Sequence, residues 1–187
     1  MQDKIFKMKN YLRIFCSILI LFFLSVSCED LLSDFLTFDS NYYVIDFAVD
    51  PTDRTGYHIF TEETARSDID SLLEANNVLR EKLKEVHAKE AVVKITDADA
   101  SNTFDPLEKL SVTIYTKSLG EKTIASIDQI PDGLRDLTLI LEEDDLMDYL
   151  FEDEFVLSTI GILKERTYKI IPMQARVKFE FKAGITK

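Results

Sequence analysis

Cysteine is nearly absent: Cys16 and Cys28 both lie within the first thirty residues. Nothing downstream remains to build a disulfide framework or a thiolate metal site. Glycine is scarce as well. Gly56, Gly120, Gly133, Gly161 and Gly184 stand singly, so no loop of consecutive backbone amides is available to cradle a phosphate. Tryptophan is missing, and the two histidines, His58 and His87, have no spacing that pairs them. Each reads as a surface or half-buried structural residue in preference to a general base or ligand.

Positive charge is the next deficit. Residues 1–27 hold four bases and one acid, which leaves 18 bases against 33 acids in the rest, a net charge of −15. Affinity for nucleic acid begins with neutralising phosphate, so a surface of this sign excludes nucleic acid as a partner. Hydrophobic content of 46% over 187 residues is enough for one packed domain and argues against global disorder.

Long apolar runs are also few, and the clearest one is an address. Residues 1–13 are basic, and Ile14 to Val26 is apolar apart from Ser17 and Ser25. A bilayer core requires roughly 20 apolar residues in a helix, and this run is shorter. A positive head, a short apolar body and small residues before a cut describe a secretory signal peptide spanning 1–27. Met8 opens a more compact form of the same signal, so translation starts at Met1 or Met8.

The cut region reads Leu24-Ser25-Val26-Ser27-Cys28. It resembles the lipobox of bacterial lipoproteins, in the looser form of Bacteroidetes-type bacteria, with leucine one position further from the cysteine than usual. The resemblance implies lipidation of Cys28 and a membrane anchor. Cleavage after Ser27 by ordinary signal peptidase is the alternative. Acyl chains contribute about 0.8 kcal/mol per buried CH₂, and stable attachment takes more than one chain. Glu29 and Asp30 resemble the acidic surface-export signals of such lipoproteins, and a plain acidic tether would look the same. Residues 28–40 form an N-terminal segment, too apolar at Leu31, Leu32, Phe35, Leu36 and Phe38 for a simple tether, so part of it is expected to dock on the domain.

From Asn41 onward the pattern is of period two. Tyr43 to Val49 reads as a strand, Asp50 to Gly56 as turns, and Tyr57 to Thr61 as a short returning strand. Ser67 opens a helix with Ile69, Leu72 and Leu73 on one stripe, stopping at Asn76-Asn77; Val78 to Leu83 adds a turn. Residues 84–96 are ambiguous, because Val86 and Ala88 have one parity and Ala91, Val93 and Ile95 the other. A strand there needs a bulge near Lys89-Glu90, while a helix over Arg80 to Val93 competes; strand is favoured for Ala91 to Thr96 on β-branching. Leu110–Thr116, Thr123–Ile127, Leu137–Leu141 and Phe155–Leu163 read as strands, with a brief helix over Asp144 to Phe151. Ile171 to Lys182 alternates throughout, and Pro172 suggests that this strand begins at a sheet edge.

These elements predict a mainly β domain over 41–187: an antiparallel two-sheet β-sandwich, Ig-like or a related Greek key, with one or two short helices. The rhythm loosely resembles small exported β-sandwich lipoproteins of Bacteroidetes-type bacteria, which implies a cell-envelope location, anchored at the outer membrane, on its periplasmic or cell-surface face.

Three features bear on chemistry. Asp97 to Glu108 carries oxygen side chains at positions 1, 3, 5, 9 and 12, as in a calcium-binding loop; Asn102 in place of the turn glycine, Pro106, and a strand as the exit all depart from that pattern. A plain acidic inter-strand loop is the favoured reading. The pairs Glu62-Glu63, Glu142-Glu143 and Asp144-Asp145 are sequence neighbours, which does not set two carboxyls across a cleft as glycoside hydrolysis needs. Tyr42, Tyr43, Tyr57 and Tyr115 suit either sugar stacking on an open sheet face or core packing with the hydroxyl at the rim. The resulting expectation is a non-enzymatic binding or scaffold module, without cofactor or metal, that meets an envelope protein or glycan. The alternative is a calcium-dependent β-domain using Asp97–Glu108.

Overall fold

The strand with the strongest alternation is the organising element. In the computed structural model, which describes residues 35–184, the residues Ile171–Gly184 form β10, whose buried residues alternate with half-exposed ones along its whole length. Both of its edges are paired. On one side lie β1 (Phe35–Asp39) against its C-terminal part and β2 (Tyr43–Val49) against its N-terminal part. On the other lies β4 (Leu83–Ile95), followed by β7 (Asp136–Thr138). The expectation of an edge at Pro172 is therefore corrected: β10 is central. Pro172 is tolerated because its nitrogen and carbonyl face the β4 side at the level of Thr96, one residue past the end of β4. There the missing N–H falls off the ladder, while the carbonyl still accepts from Thr96 N at 3.0 Å.

The second sheet runs β3 (Gly56–Arg66), β9 (Glu154–Leu163), β5 (Leu107–Thr116), β6 (Gly120–Asp128), β8 (Ile140–Leu141). Every pairing in both sheets is antiparallel. The described residues thus form an antiparallel β-sandwich with two helices, α1 (Ile69–Ala75) and α2 (Met147–Leu150), and a 3₁₀ turn at Arg80–Lys82. Val177, Phe179 and Phe181 from one sheet and Val112, Ile114 and Leu157 from the other fill the interior.

The ambiguous segment is strand throughout, so the competing helix is not formed. Lys178 pairs with Glu90 and Phe179 with Ala88, which leaves Lys89 as an extra, bulged residue. The bulge lets Val86 and Ala88 face inward together with Ala91, Val93 and Ile95. The segment expected as a single strand over Leu137–Leu141 instead divides. Asp136–Thr138 pairs with β4, Ile140–Leu141 pairs with β6, and buried Leu139 between them passes from one sheet to the other. The part of segment 28–40 that docks is β1, so the sheet starts ahead of Asn41. The helix α1 begins at Ile69, whose N–H reaches the Ser67 hydroxyl at 3.4 Å, and it ends before Asn77 at φ 54°.

Strand direction sorts the loops. The loops 50–55, 96–106, 129–135 and 164–170 gather at the end of the sandwich where β10 starts. Phe35 lies at the other end, opposite Gly184. A 14-residue strand separates the two ends by about 45 Å at roughly 3.3 Å per residue.

Candidate functional site

The outward residues of the two sheets differ in character. On the outer face of the β10 sheet, charge is internally matched. Lys89 meets Asp39 at 2.8 Å and Glu180 at 3.0 Å, Lys178 meets Asp39 at 3.1 Å, and Lys182 meets Glu85 at 3.1 Å. Tyr42 belongs to this lattice: it donates to Glu90 at 2.6 Å, and the Arg176 guanidinium lies 4.2 Å from its ring centroid. Its neighbour Tyr43 turns inward, packs edge-on to Phe155 and Phe179, and donates to Asp68. Burial, then the hydrogen bond to Asp68, pushes the Tyr43 phenol well above its ordinary range.

The outer face of the other sheet is apolar and hydroxylic. The pairings set Tyr57 beside Ile162 and Lys109, and Ile59 beside Ile160, Ser111 and Ser126. Tyr57 is 66% exposed, Ile59 54% and Ile140 70%. Between these rows lies a cleft of about 340 Å³ lined by Tyr57, Lys109, Ser111, Thr123, Ser126, Glu142, Ile160, Gly161 and Ile162. Its size falls in the range of small-molecule sites, which combine apolar walls with a few polar groups. Lys109 is neutralised by Asp128 at 2.8 Å. Glu142 is the one carboxylate lining the cleft among the described residues, and it has no ion-pair partner among them. The site lies in the half of the sheet nearer the four gathered loops, because Tyr57 and Lys109 pair with Ile162 beside Leu163.

Local sequence explains how the wall is positioned. A second bulge, at Phe60, falls between the pairs Ile59–Ile160 and Thr61–Thr159. The bulged ring stacks between His58 and Phe47 and covers Gly161. A Cβ on Gly161 would stand 2.7 Å from that ring and 2.7 Å from the Lys109 carbonyl, so only glycine admits this approach. The sequence named Tyr57 as one of several tyrosines but missed the cleft. Alternating Ile160 and Ile162 beside glycine was the available signal, and it also fits a buried central strand.

The acidic loop is organised around a side chain that the sequence did not connect to it. Arg135 donates to the carbonyls of Asp97, Asp99 and Asn102 and to the Asp97 carboxylate at 3.1 Å. Asp99 accepts from the Ser101 hydroxyl at 2.7 Å and from Lys169 at 2.9 Å, and these bonds hold its carboxyl far below the usual range. Asp105 caps the Gly133 amide at 2.5 Å. Among the described residues, no three histidine, cysteine or acidic side chains are grouped to hold a metal.

The remaining candidates are dispersed. His58 approaches the Arg54 carbonyl at 3.2 Å, while His87 approaches the Asp144 carbonyl at 3.1 Å on the other sheet. Asp145 accepts from the Met147 amide at 3.0 Å and from Val86 N at 2.9 Å; Asp144 meets Lys122 at 3.4 Å. Cys28 and residues 1–27, expected as a signal segment, lie outside the described residues. No described helix is long and apolar enough to cross a membrane.

No protein-family model matches the chain, and no curated protein does. Among solved structures it is similar to the decameric BFDV capsid protein, with 9% identity, a TM-score of 0.40, and coverage of 80% of this chain and 99% of the other. It is also similar to a carbohydrate-binding module of the β-sandwich superfamily, with 11% identity, a TM-score of 0.32, and coverage of 77% and 55%.

Proposed function

We propose that this protein is a lipid-anchored binding module of the bacterial cell envelope, without a catalytic role, that meets its partner through the outer face of the β3–β9–β5–β6–β8 sheet. The observation that carries the reading is the wall of exposed Tyr57 and Ile59 beside half-buried Ile160 and Ile162, bordering an open cleft. Exposed apolar surface rimmed by polar residues is characteristic of interaction sites. A non-catalytic role is supported by the single carboxylate lining that cleft, since acid–base hydrolysis of glycosides uses a facing pair.

Lipidation at Cys28 would tether the domain to a membrane. Restriction to a surface raises the local concentration of the module near envelope partners.

The test is the intact mass of the protein from a bacterial membrane fraction, beside the same preparation of Cys28→Ala. Acylation on a chain starting at Cys28, absent from the variant, is expected. An unacylated wild-type mass would overturn the anchor and make the protein freely secreted or periplasmic.

A further inference from the structure

Three hydroxyls, those of Ser111, Thr123 and Ser126, line the cleft floor without a protein hydrogen-bond partner among the described residues. Ser111 is nearly buried as a residue, but its hydroxyl is not among the buried unpaired groups, so it stays open to the cleft. Glu142 adds an acceptor with no cation opposite it. A ligand that brings several hydrogen-bond donors and acceptors would suit this floor. It must also offer an apolar surface to Tyr57 and Ile160 on the wall.

Charge narrows the class further. Lys109, the cation at the rim, is already balanced by Asp128. The chain beyond residue 27 carries a net charge of −15, which disfavours phosphate, sulfate or uronate groups. A second copy of the chain is disfavoured at the adjacent edge. The bulge at Phe60 interrupts the free edge of β3, and Glu62 and Glu63 would face like charges in a two-fold pairing. From these observations we infer that the cleft binds a neutral carbohydrate, with Tyr57 stacking on a sugar ring and Ser111, Ser126 and Glu142 hydrogen-bonding its hydroxyls. A pyranose ring has the required chemistry, a C–H face for the aromatic wall and a girdle of hydroxyls for the floor. The assignment rests on the binding-module reading and names its ligand class.

Affinity electrophoresis of the detergent-extracted full chain through gels containing starch, dextran, mannan, xylan or mixed-linkage β-glucan tests the inference, with polygalacturonate as the anionic control. Retardation by at least one neutral polymer is expected, and none by polygalacturonate. Tyr57→Ala should weaken retention about tenfold, the scale of one aromatic contact, and Glu142→Gln should weaken it as well. Tyr168→Ala, altering a residue that is 82% exposed outside the cleft, should leave it unchanged. Thermal melts of the variants establish that they are folded. The absence of retardation by every neutral polymer, or retention indifferent to Tyr57→Ala, overturns the carbohydrate assignment. A photocrosslinker at position 57 in intact cells separates the two levels. A crosslinked envelope protein without glycan retention overturns the ligand class alone, whereas neither crosslink nor retention overturns the binding module too.

Discussion

The Arg135 guanidinium stands 3.1 Å from the Asp97 carboxylate and also bonds the carbonyls of Asp97, Asp99 and Asn102. Within a loop whose oxygen spacing matches a calcium site, Arg135 already answers the Asp97 carboxylate and three loop carbonyls, while Lys169 answers Asp99. Arg135→Met should destabilise the domain by about 2 kcal/mol, because it leaves partly buried acceptors unpaired. Millimolar Ca²⁺ should leave the wild-type melting temperature unmoved. Denaturant unfolding and a thermal scan check the two outcomes, and a clear calcium-induced rise would revive the calcium-dependent alternative.

Gly161→Ala places a methyl group 2.7 Å from both the Phe60 ring and the Lys109 carbonyl. The ring can yield, but the backbone of β5 yields poorly. A loss of about 1–3 kcal/mol is expected, as for other overpacked sites, together with weakened ligand retention, since Ile160 and Ile162 flank the shifted residue. Unfolding curves and affinity electrophoresis measured on one preparation report both.

Deleting Lys89 should be better tolerated than deleting Val92. Removal of the bulged residue puts Ala88 and Ala91 two positions apart and restores plain alternation, at the loss of ion pairs to Asp39 and Glu180. Removal of Val92 instead turns Val93 and Ile95 from the core to solvent, and each fully buried aliphatic side chain is worth about 1.5–3 kcal/mol. Comparing soluble yield and unfolding midpoints distinguishes the two deletions; equal damage would contradict the bulge assignment.

Asp39 is held below its ordinary value of 3.8 by its hydrogen bond to Lys89, with Lys178 adding to the effect against the opposing desolvation. A carboxylate whose folded-state pKa is depressed contributes stability that is fully present above the unfolded value. That contribution disappears as pH falls through the lower folded value. Asp39→Asn should therefore cost stability at pH 6, about 1 kcal/mol or less for so exposed a pair. The difference from wild type should shrink as pH falls below the ordinary carboxylate range and Asp39 is protonated. Denaturant unfolding at a series of pH values traces the convergence.

Much of the fold was legible before any coordinates. Alternation in Ile171–Lys182 and Tyr43–Val49 depends only on residue order, and it maps directly onto strands with one buried face. The conflict of parity across Val86–Ile95 even located the bulge, because no regular strand can bury both sets. The signal segment 1–27 and the anchor at Cys28 are proposals read from local sequence alone.

The three-dimensional arrangement decided what local pattern could not. Pro172 marks a strand end in the middle of a sheet, since the neighbours on either side of β10 come from residues more than a hundred positions earlier and from β4. Leu137 to Leu141 reads as one strand, yet it serves two sheets because β4 and β6 offer edges on either side of Leu139. The cleft joins Tyr57, Ser111, Ser126, Glu142 and Ile160 from strands and a loop spread over the chain. Sequence fixes the parity of each strand through its local periodicity. Which strands become neighbours, and hence which side chains share a face, depends on long-range pairing and on packing between the sheets.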